Sequence, residues 1–111
     1  MRVDSLKRNI ESEKRYIESE KKKIANYRSK IADIRTRKSR AADQYRNRLK
    51  NASSSSNKKS IRNQKARDWD SLKRQVESYR KNIESCRDSA TRHRDRIKRI
   101  REDIKRARAR R

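Results

Sequence analysis

The sequence predicts an all-α fold: two long helices forming an antiparallel coiled-coil hairpin closed by a Ser-rich turn. Three observations predict it. Gly and Pro are both absent from the 111 residues, and each breaks helix interiors. Only 28% of residues are apolar while 48% are charged, too polar for a thick core but sufficient for one narrow seam between helices. Such a composition otherwise signals disorder, so periodicity decides, and here apolar residues recur at alternating steps of three and four in both halves. The length allows one ordinary domain at most.

The first element spans residues 1–50. Its seam runs Val3, Leu6, Ile10, Glu13, Ile17, Glu20, Ile24, Tyr27, Ile31, Ile34, Lys38, Ala41, Tyr45. Most of these are apolar and the residues between them are polar or charged. A period of that kind is helical, not extended.

Residues 51–59, "NASSSSNKK", form the expected turn. Serine bonds nearby backbone groups and so competes with helix. Asn51 and Asn57 suit the left-handed conformation that ends a helix, and Ser60 is the expected N-cap of the second helix.

The second helix is expected over residues 60–111, with a basic tail "IKRARARR". Its seam runs Trp69, Leu72, Val76, Tyr79, Ile83, Cys86, Ala90, His93, Ile97, Ile100, Ile104, Ala107. Folding the halves back about Ser55 sets Ile10 opposite Ile100, Ile24 opposite Cys86, Ile31 opposite Tyr79 and Ile34 opposite Val76. Every seam position then meets another, and Trp69 faces the small Ala41, as interdigitated packing requires. A plain flexible linker between independent helices has no need of that coincidence.

The triplet "IES" or "VES" recurs at Ile10, Ile17, Val76 and Ile83. Each copy sets an acid three residues before a base: Glu11 and Lys14, Glu18 and Lys21, Glu77 and Arg80, Glu84 and Arg87. Such pairs support a helix by a few tenths of a kcal/mol, about 0.2–0.5 each. Helix maintenance explains them better than a binding motif.

Charge carries the functional expectation. Lys and Arg number 38 against 15 Asp and Glu, a formal net charge of +23. With the seam at heptad positions a and d, position e holds Lys7, Lys14, Lys21, Arg28 and Arg35 in the first arm. In the second it holds Lys73, Arg80, Arg87, Arg94, Arg101 and Arg108. In an antiparallel pair e faces e, so like charges adjoin where hairpins ordinarily place opposite ones. An external anion relieves that repulsion, and regularly spaced cations suit the phosphates of DNA or RNA, bound mainly by counterion release and with little sequence preference. These eleven residues are the expected nucleic-acid-binding set. The bland alternative is a solvated coiled coil whose excess Lys and Arg serve solubility. A second functional expectation is a structural adaptor, a docking or oligomerisation arm of a larger assembly, with a third helix or second copy covering the polar seam break at Glu13, Glu20 and His93.

Other classes are disfavoured. No run is long and apolar enough for a membrane span or signal-peptide core, and no face joins a broad apolar band to the basic one. A single Cys forms no internal disulfide, so the expected address is cytoplasmic, at the nucleoid if DNA is the partner. Glu13, Glu20 and His93 are expected at one level of the seam. One His and two Glu between two helices enclose no pocket, and they serve better to fix register. Cys86 reads as a small buried hydrophobe. Tyr27, Tyr45 and Tyr79 are seam residues, and Tyr16 alone among the tyrosines points to an edge, so no aromatic platform for stacking bases is expected. No enzyme activity, cofactor, metal or small-molecule substrate is expected.

The stretch "SSSSNKKSIRNQKARDWDSLKRQVESYRKNIES", Ser53 to Ser85, resembles a helical hairpin near the N-terminus of some bacterial conflict-system proteins, including ones with TIR effector domains. There a Ser-rich turn followed by Lys, Ser and Arg, here Lys59, Ser60 and Arg62, leads into a charged coiled-coil arm. The resemblance covers about one third of the chain. It implies a non-catalytic module that assembles or docks an effector in bacterial defence, and it carries no catalytic residues over. The sequence departs from that pattern in having no effector domain after the hairpin, which implies a fragment or a separate small subunit.

Overall fold

A computed structural model describes residues 2–110. The chain is a helical hairpin of two helices, α1 (Arg2–Asn51) and α2 (Ser55–Ala109). Among the described residues no helix is long and apolar enough to cross a membrane.

The connection is tighter than the sequence suggests. Residues 52–54 alone lie between the helices, and Ser55 to Lys59, expected in the turn, are helical. The reason is the cap. Ser54, not Ser60, opens α2: its Oγ accepts the Asn57 N–H at 3.1 Å, and its carbonyl accepts the Lys58 N–H at 3.1 Å. A serine just outside a helix satisfies orphan donors of the first turn, so the serines after it join the helix instead of opposing it. At the other end the Ala52 N–H donates to the Leu49 carbonyl at 3.4 Å. No described residue has positive φ, so Asn51 and Asn57 are not left-handed. The basic tail is helical through Ala109, and Arg111 of that tail lies outside the described residues.

The helices contribute to two compact units, one of residues up to Asn26 with those from Asn82, the other of Tyr27–Lys81. We call them the terminal unit and the turn unit. In the terminal unit Ile10, Ile17, Ile97 and Ile104 form the buried core, with Val3, Leu6 and Ile100 packed on it. In the turn unit Ile31, Ile34 and Tyr45 are buried. There Tyr27 meets Tyr79 at 5.9 Å between ring centroids, and Tyr45 meets Trp69 edge-on at 5.8 Å. The expected seam is the buried stripe, with one exception. Lys38 is exposed and lays its ammonium over the Trp69 ring at 5.6 Å, its stem on the seam and its charge in water.

Register differs from the expectation by one seam step. Glu13 pairs with His93, Glu20 with Cys86 and Tyr27 with Tyr79, so d residues meet d residues. For these three pairs the pivot moves from Ser55 to the centre of the three-residue loop. Beside the loop Trp69 also reaches past that position, onto Tyr45. A knob inserted between two residues of the facing seam touches both, which accommodates both departures.

Of the four expected acid–base pairs, Glu11 and Lys14 form at 3.6 Å; Glu18, Glu77 and Glu84 make no ion pair among the described residues. Lys23 and Glu20 at 3.4 Å, Arg46 and Asp43 at 3.7 Å and Arg106 and Asp103 at 3.6 Å do. Their cations are well exposed, so they contribute little.

Candidate functional site

Because e follows d in both helices, antiparallel pairing brings the two e rows to one edge of each unit. All eleven cations of those rows are exposed. In the terminal unit Lys7 and Lys14 of α1 and Arg101 and Arg108 of α2 line one groove floored by Ile10 and Ile104. In the turn unit Arg35 of α1 and Lys73 and Arg80 of α2 line another, floored by Ile34, Leu72 and Val76. Lys21, Arg28, Arg87 and Arg94 are exposed but line neither groove. Lys105 joins the terminal groove and Lys38 the turn groove; neither is an e residue, so a heptad count passes over them.

The electrostatics of these edges are one-sided. Among the described residues the terminal groove has no acidic lining residue, and the turn groove has one, Glu77. Among the described residues Lys14 is the one member of the eleven in an ion pair, with Glu11 at 3.6 Å. Like charges that close repel, and solvent screens them only in part.

No protein-family model, curated protein or solved structure matches the chain.

The polar seam residues do not converge as the sequence suggests. Glu13 and His93 form one pair, in which the ring Nδ1–H donates to Glu13 Oε2, and Arg96 Nη1 approaches Glu13 Oε1 at 3.9 Å. Tyr16 stacks on His93 with centroids 4.8 Å apart and planes at 9°. Glu20 stands apart from that pair, beside the Cys86 thiol, and accepts from Lys23 Nζ at 3.4 Å. The helix pitch separates the two pairs, since Glu13 and Glu20 stand one heptad apart, about 10 Å. Among the described residues no group of three His, Cys, Asp or Glu side chains is placed to hold a metal ion. Heptad counting assigns each residue to the seam but not its partner across it, so the thiol–carboxylate bond and the Tyr16 stack were not foreseen.

The thiol bond holds the Glu20 carboxyl below its usual range, against the opposing effect of burial. Burial pushes the Cys86 thiol up, and the Glu20 charge adds to the shift. A lowered carboxyl contributes stability above its unfolded pKa and loses it as pH falls through the folded value. A raised thiol contributes below its unfolded pKa and loses it as pH rises through the folded one. Both contributions are present together from about pH 5 to about pH 8. The difference in melting temperature between the native chain and Cys86→Val is expected to be largest there and to shrink toward both extremes. A difference independent of pH would show that the pair is not formed.

In the turn unit the Tyr45 hydroxyl donates to Asp68. That bond, helped by burial, raises the phenol above its usual value. Arg48 Nη2 donates to Gln64 Oε1 at 3.0 Å and its guanidinium lies 5.2 Å from the Tyr45 ring centroid. This network ties the helices together beside the loop.

Proposed function

We propose that this chain is a non-enzymatic basic coiled-coil hairpin that binds a polyanion, nucleic acid foremost, through the Lys/Arg edge of its units. The observation that supports this reading is the facing of cation rows across each groove with almost no acid between them, in a chain of net charge +23. A helix pair gains nothing in self-association from such an edge. A phosphate backbone laid along it exchanges condensed counterions for Lys and Arg, which favours binding and makes it steeply salt-dependent. Contacts of this kind position a nucleic acid without reading its bases. A cytoplasmic address, at the nucleoid where DNA is the polyanion, accompanies the proposal.

The adaptor or docking-arm reading, including the defence module that the resemblance implies, draws less support. Its motive was a polar seam break for another helix to cover, and Glu13 is held by His93 and Glu20 by Lys23 within the hairpin itself.

The test is a salt titration of binding to duplex DNA, duplex RNA and heparin, with solution mass measured in parallel. Micromolar or tighter binding is expected at about 50 mM salt, with the logarithm of the association constant falling linearly in the logarithm of salt. Absence of binding to all three at that salt would refute the proposal.

A further inference from the structure

Tyr16 is 57% exposed, the one large hydrophobic side chain that stands open among the described residues. It belongs to the edge opposite the cation rows, at heptad position g, and the polyanion interface described above makes no use of it. Its ring is fixed, not free: one face lies on the His93 imidazole at 4.8 Å and 9°, and His93 is itself held by Glu13. On the same edge, also at heptad position g, Arg96 approaches the same Glu13 at 3.9 Å and keeps 54% of its side chain exposed.

We propose that the Tyr16–His93 stack is a platform for an unpaired nucleobase, with Arg96 taking the adjoining phosphate. The inference rests on the polyanion-binding reading and deepens it, since it assigns single-stranded nucleic acid to the edge that the e-row cations do not serve. The physical argument has three parts. A base stacks on any flat aromatic face regardless of its identity, and such a face next to a cation is the recurring element of single-strand binding. A ring already immobilised by His93 loses little rotamer freedom when a base settles on its other face, so more of the stacking energy appears as affinity. The partial pairing of Arg96 with Glu13 at 3.9 Å is long for a hydrogen-bonded ion pair, which leaves its guanidinium available to a phosphate oxygen. Tyr27, Tyr45 and Tyr79 do not compete for the role, being half-buried or buried in the turn unit.

The experiment compares the native chain with Tyr16→Leu and Tyr16→Trp on three probes: a single-stranded oligothymidylate, an abasic strand of equal length and a duplex. Leucine maintains the helix and an apolar surface but not the flat face. The native chain is expected to bind the base-bearing strand about tenfold more tightly than the abasic one. Tyr16→Leu is expected to abolish that difference while leaving the abasic and duplex affinities unchanged, and Tyr16→Trp to retain it. Equal native binding to base-bearing and abasic strands overturns the platform alone, as does a Tyr16→Leu chain that still discriminates between them. Failure of the native chain to bind any of the three at low salt overturns the platform together with the polyanion reading.

Discussion

Replacing Lys7, Lys14, Arg101 and Arg108 together with glutamine is expected to lower duplex affinity at low salt by about a hundredfold or more. These four line one groove of the terminal unit and have no acidic neighbour within it. Each phosphate contact removed takes about 0.9 from the slope of log affinity against log salt, so the slope should flatten as the affinity falls. The same variant should melt higher than the native chain, because two rows of like charge no longer face each other across the groove. Opposite signs for binding and stability are the signature of a surface kept for a partner. A variant that gains stability without losing affinity would reduce the edge to a solubilising feature. Fluorescence anisotropy across a salt series and circular-dichroism melting measure the two quantities.

Ile34→Ala is expected to be the most damaging single truncation of the turn unit, costing about 2–5 kcal/mol. Ile34 is the most deeply buried side chain, at 2% exposure, and shares its groove with Leu72 and Val76. Alanine there leaves a void that two helices tied by a short loop have little freedom to close. In a chain of this size the midpoint should fall by about 10 °C or more. Ser78→Ala, at an exposed position, should stay within about 0.5 kcal/mol of the native chain. A mild effect at Ile34 would place the weight of the unit on its aromatic pairs instead. Thermal melts of the three chains decide it.

The helices and their seam were legible in the sequence because a single physical requirement, burial of one stripe at a period near 3.5, acts on every turn of both arms. Ile10, Ile31, Ile83 and Ile97 could hardly serve any other end in a chain so charged. The basic edges followed from the same count, since e adjoins d. What stayed illegible depends on atoms a period does not see. Whether Ser54 or Ser60 caps α2 is a contest among near-identical serines, settled by the Asn57 N–H that Ser54 reaches. That choice moved the pivot, and Glu20 lies beside Cys86 where the count had set it opposite Ala90. Lys38, the one basic residue in the seam of α1, is accounted for by Trp69, whose ring lies under its ammonium. Tyr16 was correctly put on an edge, but nothing in the spacing announced that His93 would lie flat against it.

The three-residue loop also dictates how the chain starts to order itself. Bringing the ends of so short a connector together sacrifices little chain entropy, so the earliest native contacts form between residues close in sequence, a topology associated with fast folding. Tyr45, Asp68 and Trp69 lie close to that nucleus. Trp69 is the sole tryptophan, flanked by the ammonium groups of Lys38 and Lys65 at 5.6 and 5.3 Å, and its fluorescence is thus a built-in clock for the first zippering step.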